Sequence, residues 1–224
     1  MNWMNADFGF PDGAMRELLL GLIVVACNAQ SDFSPVRLVG LLEVPGLLQQ
    51  TAQSDGFEYS DQLGMQLAVH ERPDSVSAKR TIRHLHELVL REHSYEELSL
   101  VVLKQSAGWL QIKLKDGAGW IRRPTPSVFR SLGQLLSNGM SYVTTDWDKQ
   151  LSRYAGGPAT KRIVVSPSVN VLGTRIVNGV LWIQIQVLNA SICEVQNPTV
   201  LATGWVRAYS QSGAANVWFY PRGC

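Results

Sequence analysis

The chain has 224 residues, enough for one large domain or two small ones, with 17% charged residues and a formal net charge of +2. That balance excludes a general nucleic-acid binder, which needs a concentrated basic stripe. The nearest approach, Lys79 to Arg91, is interrupted by Glu87 and followed by Glu92, and reads as a solvated face.

The first feature along the chain is the apolar run Leu18 to Ala26, too short to span a bilayer as a helix but suited to the core of an export signal. Val24-Val25-Ala26-Cys27 resembles the lipobox of bacterial lipoproteins. The resemblance implies that residues 1–27 are a signal, that Cys27 carries the lipid, and that the mature protein is periplasmic and membrane-anchored. Met15 competes with Met1 as the start. A signal cleaved near Ala29, or an apolar strand of a cytoplasmic protein, are the other readings. With Cys27 lipidated, Cys193 and Cys224 remain, and export implies one disulfide between them, worth roughly 3–4 kcal/mol in the chain-entropy model. Two free thiols are the alternative.

Residues 28–64 read as a tether and a leading strand: a polar stretch to Pro35, a strand over Val36 to Val44, and a loop over Gln49 to Gln62 in which Phe57 and Tyr59 form a flap over the core or exposed contacts. Met65, Leu67 and Val69 then alternate with polar positions as a strand broken at Arg72-Pro73. Over 79–97 helical and strand spacing compete. In Gly108–Ile121, Leu110, Ile112 and Leu114 alternate with Gln111, Lys113 and Lys115. Asp116-Gly117 supplies a turn, and Gly119-Trp120-Ile121 starts the return.

Leu67-Ala68-Val69-His70-Glu71-Arg72-Pro73, Gly108-Trp109 and Gly119-Trp120-Ile121 together resemble bacterial SH3-like (SH3b) domains over 67–122. The resemblance implies a small barrel over 65–124, and its topology asks for a strand in 84–91 with an enlarged hairpin loop around His93-Ser94-Tyr95. Residues 125–158 read as a helix-strand connector. Ser127 caps a helix presenting Phe129, Leu132, Leu135 and Leu136, Ser141 to Thr145 is a strand, and Tyr154 to Pro158 is a linker.

A second barrel follows over 159–224, because Leu181-Trp182-Ile183-Gln184-Ile185-Gln186-Val187 and Gly204-Trp205-Val206 repeat the earlier hairpin, with an insertion over Asn189 to Thr203. Asn178-Gly179 is a hairpin turn, and Val217 to Cys224 supplies the last strand. The layout resembles bacterial proteins with tandem SH3-like repeats. The fold class expected is therefore all-β: two SH3-like barrels with a short connecting helix.

No phosphate loop, nucleophile elbow or paired-cysteine metal motif is present. His84 and His86 lack a third metal ligand in the local sequence and read as surface residues. No catalytic residue, cofactor or metal site is expected. Trp109, Trp120, Trp182 and Trp205 read as core and rim. The loop aromatics Tyr95, Trp147, Tyr209, Trp218 and Tyr220 are the candidate ligand contacts. The expectation is a non-catalytic envelope module that binds peptidoglycan or an extended peptide of a protein partner. A structural scaffold of an envelope assembly is the alternative.

Overall fold

The computed structural model describes residues 37–53, 56–164 and 168–223, so the expected signal over 1–27, with Cys27, and the Cys224 end of the expected disulfide lie outside the described residues. Among the described residues the protein is all-β with one short α-helix. The strands are β1 (Gly40–Glu43), β2 (Gln50–Gln53), β3 (Gly56–Tyr59), β4 (Gln62–His70), β5 (Lys79–His84), β6 (Leu90–Ser94), β7 (Glu97–Ser106), β8 (Trp109–Leu114), β9 (Gly117–Arg122) and β10 (Val128–Ser131). Helix α1 (Leu132–Ser137) leads to β11 (Ser141–Val143), β12 (Gln150–Ser152), β13 (Ala159–Arg162), β14 (Ser168–Val177), β15 (Val180–Leu188), β16 (Val200–Arg207) and β17 (Val217–Phe219).

These strands form two large sheets and a separate β2–β3 hairpin. The first sheet runs β10-β1-β7-β8-β9-β4-β5, with β6 on the side of β7; the second runs β13-β12-β16-β15-β14-β11-β17. Read from the opposite end, the second order matches the first strand for strand, and the matched strands follow one another identically along the chain. The chain is thus an internal duplication, with β2, β3 and β6 added to the first copy. No closed barrel is found among the described residues: each order ends on unjoined edge strands.

Register makes the duplication exact at the level of side chains. Trp109 faces Arg122 and Gln111 faces Trp120 across β8–β9; Trp182 faces Arg207 and Gln184 faces Trp205 across β15–β16. The bulge between Val102 and Lys104 recurs between Val171 and Gly173, opposite the matched Ile112 and Ile185. Trp120 pairs with His70 on one side of its strand, and Trp205 pairs with Ser152. The glycines before these tryptophans serve a close crossing. A Cβ at Gly119 would lie 2.1 Å from Val69 Cγ1, and one at Gly204 would lie 3.0 Å from Leu151 Cβ.

Boundaries at 65–124 and 159–224 therefore cut through both repeats. The leading strand β1 belongs to the first sheet, and the expected connector is divided, β10 joining the first sheet and β11 and β12 the second. Tyr154 to Pro158 is not a linker but the turn of the β12–β13 hairpin. The helix is capped by Ser131, whose side chain accepts from Gln134 N while Gln134 Oε1 accepts from Ser131 N. Ser127 stays outside the helix because Val128 to Ser131 pair with β1. Residues 49–62, expected as loop, hold the β2–β3 hairpin. Over 84–91 the chain makes a 3-10 turn, Leu85–Glu87, before β6, and β6 meets β7 at a tight turn rather than an enlarged loop.

Alternation along β1 and β7 separates two cores. Leu42, Leu100 and Val102 point into the first repeat with Ile82, Ile112 and Ile121. Leu41 and Val101 point the other way, packing with α1 and with Ile183, Ile185 and Phe219 of the second sheet. The β1–β7 layer is thus buried on both faces, and both sheets belong to one compact unit.

Candidate functional site

The outer face of the second sheet carries an open cleft of about 500 Å³. Because Ile183 and Ile185 face the core, Trp182 and Gln184 share the opposite face, and on β16 Trp205 and Arg207 share it with them. Trp182 and Trp205 line the cleft with Trp147 from the β11–β12 loop and Tyr209 from the segment after β16. Arg207 lies over the Trp182 ring at 5.6 Å and Arg175 over Trp205 at 5.8 Å. Asp146, Asp148, Gln150 and Gln211 add polar groups.

Three fixed contacts shape these walls. Trp147 Nε1 donates to Gln150 O at 3.2 Å, and the Tyr209 hydroxyl donates to Leu38 O, bracing the segment to the chain just before β1. Burial pushes the Tyr209 phenol above its ordinary range. Asn216 Nδ2 donates to Arg207 O at 3.0 Å, whereas its Oδ1, buried on the cleft wall, finds no hydrogen-bond partner among the described residues. A buried acceptor without a donor costs about 1–3 kcal/mol unless a water or ligand supplies one.

The matched position in the first repeat is filled differently. His70 stands where the second repeat has Ser152, and its ring meets Trp109 edge-on at 4.9 Å. Ser152 turns its short side chain to Gly157 O at 3.1 Å, leaving the volume beside Trp182 and Trp205 open.

Of the aromatics singled out as ligand contacts, Trp147 and Tyr209 border this cleft, Trp147 as a buried core residue and Tyr209 packed against the same core, and the others do not border it. Tyr95 is exposed at the β6–β7 turn, with Arg222 over its ring at 5.2 Å and Arg222 Nε on Glu92 at 2.9 Å. Trp218 is buried against Phe219, so it belongs to the core. Tyr220 packs on Tyr142 with centroids 4.5 Å apart and edges a small recess with Cys193 and Met140. Burial, with Tyr220 beside it, pushes the Tyr142 phenol up to about 12. Buried Trp182 and half-buried Trp205 fit their reading as core and rim, and Arg207 and Asn216 on the cleft wall were not foreseen. The signal was parity: both Trp-x-Gln and Trp-x-Arg put tryptophan on the polar side of its strand.

A second recess, beside β1, holds His93, whose side chain is 3% exposed. Its Nδ1 meets Ser99 Oγ at 2.9 Å, but Nε2 makes no hydrogen bond although Glu97 Oε2 is 3.2 Å away. Burial, and secondarily Arg130, holds its pKa below the usual imidazole value. The folded state therefore favours neutral His93, while the unfolded chain takes up a proton near pH 6.5. Stability is expected to fall as pH drops from 7 through that range, then level off below the folded pKa. His93→Gln should flatten that part of a urea-midpoint against pH curve.

Comparison of the chain with protein-family models, with curated proteins and with solved structures returned no match. The class that fold and site define is a duplicated all-β protein with an open aromatic cleft.

Proposed function

We propose that this is a non-catalytic binding module of the bacterial cell envelope, built of two SH3-like units, in which the second repeat holds the glycan of peptidoglycan and the first is closed by His70. The observation that carries the reading is the open cleft in which half-buried Trp205 stands beside the exposed polar side chains of Asp146 and Gln150. Sugar rings offer an apolar face for the Trp205 indole and hydroxyl donors for Asp146 and Gln150. In the same reading the chain is exported, held at the membrane by a lipid on Cys27, and needs no cofactor.

A Cys193–Cys224 disulfide would close the tail. In its favour, Cys193 Sγ lies 3.7 Å from Met140 Sδ, and a Cβ at Gly223 would lie 3.7 Å from Met140 Cε.

The test is co-sedimentation of the full chain with purified sacculi. Wild type should pellet above a control protein of equal charge. Trp205→Ala should weaken binding by about 2 kcal/mol, roughly thirtyfold. Ser152→His, which rebuilds the first repeat's plug, should abolish it. Equal pelleting of all three would remove the cleft from the reading. No enrichment of wild type would leave a peptide ligand or the scaffolding role.

A further inference from the structure

The turn after β5 folds two imidazoles over one carboxylate. Gln62 pairs with His84, and Leu85 N donates to Asp61 O at 2.6 Å, which fixes the two segments together. The 3-10 turn then brings His86 back over Asp61. His86 N and Nδ1 lie 3.1 and 2.7 Å from Asp61 Oδ1, and His84 Nδ1 lies 3.0 Å from Oδ2. Glu87 Oε1 accepts from the N–H groups of Arg83 and His84 at 3.3 and 3.2 Å, pinning the turn from below. One ligand atom from each of Asp61, His84 and His86 lies within 4.8 Å of the other two, and all three side chains are exposed.

The geometry points to a surface site for a divalent transition-metal ion formed by Asp61, His84 and His86, with Zn²⁺ the best match. Two imidazoles and a carboxylate select zinc, nickel or copper over magnesium or calcium, which prefer oxygen. Bonds of about 2.0–2.2 Å at tetrahedral angles put neighbouring ligand atoms about 3.4 Å apart. The present N···O separations of 2.7 and 3.0 Å are short of that by an amount that exposed side chains absorb by small rotations. The ion takes the place of the direct contacts that the two Nδ1 atoms now make with the carboxylate. Three protein ligands leave the fourth position to water or to a donor from a bound molecule, the pattern of open zinc sites. The third ligand comes from beyond the reach of local sequence: Asp61 is 23 residues from His84.

The full chain titrated with Zn²⁺ against a chromophoric chelator should show one saturable site that excess Mg²⁺ does not displace. The double variant His84→Gln, His86→Gln should lose that site while the metal-free protein keeps its wild-type melting temperature, since both side chains are exposed. Zn²⁺ should raise the melting temperature of wild type and not of the variant. Absence of saturable binding in wild type would overturn the site. So would unchanged affinity in the double variant, which would place the metal on cysteines or elsewhere.

Discussion

Leu41→Ala is expected to weaken both repeats at once, by about 3 kcal/mol, in a single unfolding transition. Leu41 is 1% exposed and lies on β1, a strand of the first sheet, yet its side chain packs in the core of the second. Its neighbour Leu42, fully buried, packs in the core of the first. A cavity at Leu41 therefore loosens α1 and the second sheet directly, and the first sheet through the strand that both cores share. Coupled repeats should give coincident urea transitions by tryptophan fluorescence and far-UV circular dichroism, with the midpoint lowered and the slope kept. Two separated transitions in wild type or variant would show that the repeats unfold independently.

Gly40→Ala is the second large effect, expected to cost about 3 kcal/mol by overpacking. The added Cβ would stand 2.3 Å from Arg130 O and 2.6 Å from Phe129 Cζ. Arg130 O is backbone of β10, which pairs with β1 from Gly40↔Ser131 to Glu43↔Val128, so relief requires the edge strand to move. Gly139, in the turn between α1 and β11, is a contrasting site. There a Cβ would meet only Leu135 O, at 3.9 Å. Gly139→Ala is accordingly expected to change stability by less than about 0.5 kcal/mol. Thermal melts of the two variants side by side read the difference. Equal melting temperatures would mean that β10 yields to the methyl without loss.

The local hairpins were legible because each is a short-range device. Leu110, Ile112 and Leu114 alternate on one face, and Asn178 and Gly179, with φ of 49° and 74°, make the turn their residue types prefer. Strand limits were less legible. Met65 keeps the alternation in sequence but is 42% exposed, because the pairing of β4 with β5 shifts register between Gln62 and Leu67. The repeated Gly-Trp pattern marked the two hairpins but not the repeat boundaries. β1 and β10 join their sheet through partners far along the chain, and no local pattern announces such a pairing.

By itself the amino-acid order determined the strand-rich class, the duplicated tryptophan hairpin and the turns between neighbouring strands, since period-two burial and left-handed turn residues act over a few positions. Tertiary structure decided where each repeat begins, that β1 and β7 are shared between two cores, and which aromatics meet. It also decided that Ser152 leaves open what His70 fills, and that Asp61 stands beneath His84 and His86. These are outcomes of register across distant strands, where one residue's place depends on the packing of every strand between.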